Sequence, residues 1–265
     1  MRQPVHSLLF LCLLFVLSCL AQTTHNNNWA IIISTSKYFF NYRHNSNALT
    51  VYKMVKELGI PDSQILLMLP EDVACTPRNP FPATVFNNPT HSENLYAADS
   101  IEVDYKGEEV TVEAFLRLLA GRHDSSVPLS RHLLSDENSN VFIYMSGHGG
   151  DGFIKFRDAE VLSSEDVAGA IKDMFAQRRY KNLFFLLDTC QAATLLETVD
   201  SPGVITISAS ARGKFTCRCL NYTPHEDLCP FRYLSSPVAQ FRIHIVLLGL
   251  LASLVNLRIF LLHIS

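Results

Sequence analysis

VFIYMSGHGG at residues 141–150 and LFFLLDTCQAA at residues 183–193 share one construction, an unbroken apolar run that breaks into a turn loaded with reactive groups. Apolar runs of that length, bounded by turn residues, read as strands buried on both faces. Similar runs recur at 29–33 (WAIII), 65–69 (ILLML) and 204–208 (VITIS). Segments of helical period lie between them. Asn47 is expected to cap a helix over 48–58 that Gly59 and Pro61 stop, and Thr111 to begin one that ends at Gly121. Ser163 or Ser164 opens a helix over 164–176, and a short helix is expected near 191–196. The Pro- and Asn-rich stretch 70–100 reads as a surface excursion outside the core. Apolar strands without period-2 alternation, alternating with helices, specify an α/β fold: a mainly parallel sheet flanked by helices on both faces.

In such a sheet, ligands bind outside the carboxyl ends of the strands. SGHGG and DTCQ both emerge at that edge, so His148 and Cys190, 42 residues apart in sequence, can face each other in space. A thiol with a pKa of about 8.5 is mostly protonated at neutral pH, and a neighbouring imidazole lowers the barrier to its attack. A lone Cys at a strand end is usually a small buried hydrophobe, and His-Gly is commonplace. Their occurrence together at two strand ends makes Cys190 the candidate nucleophile and His148 its base or acid. The N–H groups of the short helix after Cys190 are expected to favour a thiolate. The N–H groups of Gly149 and Cys190 are expected to form an oxyanion hole.

The bulk properties fit one catalytic domain with little left over. The chain has 265 residues, 18% of them charged, and a net charge of −3, which predicts no nucleic-acid partner. Arg2, the apolar run 8–17 and small residues before a cut after Ala21 read as a signal peptide over 1–21, with an uncleaved anchor as the alternative. Residues 243–264 are apolar and long enough to span a bilayer, but they include His244, Asn256 and Arg258. This tail reads either as a membrane anchor or as a mis-framed hydrophobic segment. Of seven cysteines, Cys75, Cys190, Cys217, Cys219 and Cys229 would survive cleavage, an odd number, so one thiol stays unpaired or pairs with another chain. Cys217-x-Cys219 has no matching second pair and does not specify zinc. Asp62, Glu102 and Asp104 could hold a hard cation such as calcium, with a solvated acidic loop as the plainer reading.

The words SGHGG and DTCQA after apolar strands resemble the caspase-like cysteine peptidases of the legumain-related family. GHGGDGFIKF (147–156), LLDTCQAA (186–193), FNYRH (40–44) and PRNPFPATVF (77–86) are similar to its branch of GPI-anchor transamidase catalytic subunits, over roughly residues 28–212. The resemblance implies a caspase-like fold, catalysis by His148 and Cys190, and transamidation in the lumen of the endoplasmic reticulum (ER), at its membrane. It implies that Asn41 orients the dyad and that Arg43 lies near the specificity pocket. It also implies the substrates, a proprotein and a GPI glycolipid, and partners in a multi-subunit complex, one bridged through Cys75. A disulfide from Cys75 to a tail cysteine is the alternative. The chemistry itself requires no cofactor.

After Gly213 the resemblance is expected to end. Residues 213–242 are rich in Cys and Pro, lack a clear strand–helix unit, and precede the tail. They read as a spliced or mis-assembled replacement of the family's last strands, or as a short lineage-specific anchor. The replaced part would complete the sheet and a pocket wall beside Ser208 and Ser210. Competing functions are an asparaginyl endopeptidase of legumain type and an inactive binding subunit.

Overall fold

The structure is a computed structural model that describes residues 27–88, 91–96 and 101–214. The expected signal peptide, the tail over 243–264, Cys217, Cys219 and Cys229 lie outside the described residues, as does all but the start of segment 213–242.

Five apolar runs form strands where the sequence predicts them. They are β1 (Asn28–Ser34), β2 (Ile65–Leu69), β4 (Asn140–Ser146), β8 (Asn182–Asp188) and β9 (Val204–Ser208), joined at one edge by the two-residue β3 (Tyr105–Lys106). Their order is β3-β2-β1-β4-β8-β9, and every pairing is parallel. Trp29, Ile31 and Ile33 of β1 pack into one apolar layer, and Ala30 and Ile32 into the other. Burial on both faces is why these strands read as continuous apolar runs rather than alternating ones.

Helix α1 (Tyr42–Glu57) covers one face, while α2 (Val112–Ala120), α3 (Ser164–Ala176) and the short α4 (Ala192–Leu196) cover the other. Their ends follow local chemistry. Thr111 accepts the N–H of Ala114 at the start of α2, and Gly121, at φ 65, stops it. Ser163 and Asp166 form a reciprocal capping box on α3. A small antiparallel sheet, β5 (Gly149–Gly150), β6 (Phe153–Phe156) and β7 (Glu160–Ser163), follows β4 and buries Ile154, Phe156 and Leu162.

Two expectations are corrected. The first helix starts at Tyr42, six residues before the predicted Ala48, and Asn47 lies inside it. Its first two turns carry Arg43, His44, Asn45, Ser46 and Asn47, polar residues that lack the apolar stripe a periodicity reading needs. The stretch after β2 is irregular but not merely a surface excursion, because Val73, Ala74, Val85 and Leu95 are buried against the α1 face.

Phe185 sits in β8, between two strands, and is fully buried. Phe185→Ala should cost about 3–5 kcal/mol in a denaturant titration. A loss under about 1 kcal/mol would contradict its central position.

Candidate active site

The register fixes the site. Ser34, Ser146 and Asp188 lie side by side across β1, β4 and β8, the last paired residues of β1 with β4 and of β4 with β8. Ser36, His148 and Cys190 each follow that row by two residues. Neighbouring strands lie about 4.8 Å apart, so the sheet alone delivers the imidazole and the thiol to adjacent positions at its carboxyl edge.

Asn41, at the start of α1, meets the imidazole. Its Oδ1 lies 2.7 Å from His148 Nε2, and its Nδ2 donates to the Lys37 carbonyl at 2.6 Å. The second bond settles which way the amide points, so Oδ1, which can only accept, faces the ring. His148 Nε2 is therefore the protonated nitrogen of the neutral imidazole, and Nδ1 keeps the lone pair that can exchange a proton. Close approach shapes the flanking glycines. A β-carbon on Gly149 would fall 2.5 Å from Thr189 Oγ1 and 2.6 Å from the Phe153 carbonyl oxygen, and one on Gly147 would collide with Thr35 Oγ1.

Asp188, which ends β8 two residues before Cys190, is buried. Its Oδ2 accepts from Asn47 Nδ2 at 3.1 Å, the Tyr144 hydroxyl at 3.2 Å and the Ser146 hydroxyl at 3.1 Å. Burial raises the carboxyl to about 6, against the pull of those donors and of the Arg43 charge. Arg43, predicted near the substrate pocket, thus acts electrostatically on the floor of the site.

Cys190 is half-exposed and outside any disulfide. The next residue, Gln191, holds a left-handed backbone at φ 52, a conformation that costs a non-glycine residue about 1–3 kcal/mol unless its surroundings impose it. The segment after β9 imposes it. Gln191 N donates to the Lys214 carbonyl at 2.9 Å and Ala193 N to the Ser210 carbonyl at 2.9 Å. Ala192 N donates to the Ser210 hydroxyl at 3.0 Å, which itself donates to the Thr189 carbonyl at 2.8 Å. Gly213 N completes the latch on Gln191 Oε1 at 3.0 Å. The expectation that these helix N–H groups are open to stabilise a thiolate is corrected, since the first three are already engaged. Ser210, predicted at the substrate pocket, bridges the two sides of the turn that carries Cys190. Ser208 ends β9, opposite Leu187.

The remaining expectations lie elsewhere. Asp62 accepts from the Tyr52 hydroxyl at 2.5 Å and Lys56 Nζ at 2.6 Å, and Asp104 accepts from Leu67 N at 2.8 Å. Among the described residues no group of three or more His, Cys, Asp and Glu side chains is placed to hold a metal ion. Asp62, one of the three residues expected to hold calcium, shares its carboxylate with the Lys56 ammonium, and Asp104 shares its own with a backbone amide. Cys75 is exposed, and its thiol is raised by the hydrogen bond and charge of Asp72. A groove of about 1100 Å³ runs between α2 and α3, lined by Leu116, Arg117, His123, Glu160 and Asp173 among others, and none of the predicted site residues borders it. Among the described residues no helix is long and apolar enough to cross a membrane.

A family model described as the peptidase C13 family matches residues 28–236. This chain belongs to the peptidase C13 family. Its similarity to other members is extensive: 52% identity over 205 residues to the GPI-anchor transamidase of Saccharomyces cerevisiae, covering 77% of this chain and 48% of that protein. The Schizosaccharomyces pombe enzyme of the same name is 51% identical over 222 residues, covering 84% of this chain and 56% of that protein. The Homo sapiens one is 52% identical over 190 residues, 72% of this chain and 48% of that protein. The chain spans about half the length of these curated relatives. The C13 match runs past Gly213, where the sequence reading ended it.

Asp188 gives the C13 site a measurable pH signature. Its native carboxyl holds a proton up to about 6 against an ordinary 3.8. Stability tied to that proton is therefore full below about 4 and lost as pH rises through about 6. Asp188→Asn cannot ionise, so its denaturation midpoint should gain on the parent's between pH 4 and pH 7. A difference that stays constant across that range would contradict the assignment.

Proposed function

We propose that this chain is the catalytic cysteine subunit of a GPI-anchor transamidase. The observation that carries the reading is the alignment of Cys190, His148 and Asn41 along one sheet edge, in a chain about half identical to proteins of that name. The substrate is a proprotein whose C-terminal signal has small residues at the cleavage site, a polar spacer and a hydrophobic tail.

His148 Nδ1 takes the proton of the Cys190 thiol, and the sulfur attacks the carbonyl carbon of the small residue. The N–H groups of Gly149 and Cys190 receive the oxyanion. The carbon–nitrogen bond breaks, and the departing amine takes the proton from Nδ1, leaving a thioester. The ethanolamine amine of the glycolipid then attacks the thioester carbon and gives its proton to Nδ1. The amide forms as the thiol leaves with that proton. Water is the competing nucleophile, so the amine must be positioned and the site shielded. A single domain offers little of either, which supports work within a multi-subunit complex. The exposed thiol of Cys75 suits a bridge to one partner subunit. The relatives' name and the predicted signal peptide support a place at the ER membrane with the catalytic domain in the lumen.

Expression in cells that lack the endogenous subunit tests the proposal. Surface staining for GPI-anchored proteins should return with the unsubstituted chain and be lost with Cys190→Ala or His148→Ala. Rescue that survives Cys190→Ala would sink the mechanism. In complexes isolated from those cells, Asn41→Ala should slow turnover by about 10–100-fold by freeing the imidazole to turn. An unchanged rate would remove Asn41 from the site.

A further inference from the structure

Beneath the dyad lies a second imidazole for which the mechanism has no use. His44 is 2% exposed, on the same face of α1 as Asn41 and one turn further on. Its Nδ1 lies 2.7 Å from the Ser36 hydroxyl, and its ring meets the His148 ring edge-on, with centroids 4.9 Å apart and planes at 81°. Ser36 is the residue that follows β1 in the same register position as His148 follows β4. The three contacts form one frame. Asn41 holds the tip of the His148 ring, Ser36 holds His44, and His44 backs the ring itself.

We propose that His44 is a positioning residue, whose ring fixes the plane of His148 so that Nδ1 stays aimed at the Cys190 thiol. The hydrogen bond that Nε2–H donates to Asn41 Oδ1 fixes one point on the imidazole, and the turn of the ring about that axis is a separate freedom. An edge-on aromatic contact removes this freedom. The contact must also tolerate the charge His148 carries after taking the thiol proton, and a neutral ring does so where a second cation would not. Burial, then the Arg43 charge, then His148 itself push His44 protonation well below the usual imidazole range. Those are the charged and titratable groups that act on it, Arg43 from its own helix and His148 from the turn after β4. From β1 it meets the neutral Ser36 hydroxyl. His44 touches neither substrate nor thiol, so its action passes through His148 alone.

The inference rests on the dyad reading and is tested separately from it. The full-length chain is alkylated with iodoacetamide from pH 5 to pH 9, and modification of Cys190 is followed by peptide mass spectrometry. His148→Ala gives the profile of a thiol without its imidazole. His44→Ala should slow alkylation at pH 7 by about tenfold and displace the profile toward that of His148→Ala. His44→Phe keeps an edge-on ring and should stay within about threefold of the parent, though it loses the Ser36 bond. His44→Leu fills the same space without a ring, and it carries the test should the alanine variant unfold. A folded His44→Ala or His44→Leu chain with the parent's profile would overturn the proposal, as would Phe and Ala variants displaced equally. An unsubstituted chain whose profile matches that of His148→Ala would instead overturn the dyad, and this proposal with it.

Discussion

The site depends on the parallel register of β1, β4 and β8. Three strands that end in one row, Ser34, Ser146 and Asp188, give three turns a common origin. Parallel strands make this automatic, since every carboxyl end lies at one edge and no side chain has to reach far. A slip of one residue between β4 and β8 would displace Cys190 from His148 by about 3.3 Å and exchange the two faces of the strand. The apolar layers on both faces resist that slip, so packing energy far from the chemistry maintains the geometry of the dyad.

Around that row the polar groups are organised in depth. Asp188 draws Asn47, Tyr144 and Ser146 together beneath the edge, and Asn41 and His44, at the start of one helix, both touch the His148 imidazole. Helix α1 therefore does two jobs with two stretches of sequence. Its later turns bury Leu49, Tyr52 and Val55 against the sheet, while its first turns serve the site.

That division explains what the sequence could and could not say. Strands sandwiched between two apolar layers are legible as apolar runs, and Thr111, Gly121 and Ser163 mark helix ends because each satisfies orphan backbone groups locally. The placement of His148 and Cys190 at one sheet edge was legible because both stand just past such runs. The start of α1 was hidden, since residues 43–47 are all polar and lack the apolar stripe by which a helix is read. The β5–β7 hairpin was hidden because two of its strands are short and one is a pair of glycines. Asp188 carried one usable signal, a carboxylate at the end of a strand beside a Tyr and a Ser that its apolar neighbours do not need. Ser210 carried none: its hydroxyl matters through a fold-back that only the tertiary structure reveals.

The latch over Gln191 has a bearing on how the chain can change. Of the groups that residues 209–214 contribute to the latch itself, only the Ser210 hydroxyl belongs to a side chain, and the rest are backbone atoms. Much of the downstream support of the Cys190 turn is thus indifferent to side-chain identity, Gly213, at φ 70, being the exception. Substitutions within 209–214 that keep the backbone path and the Ser210 hydroxyl can therefore leave these hydrogen bonds in place, so the elbow tolerates changes of side chain that a contact made by side chains would not.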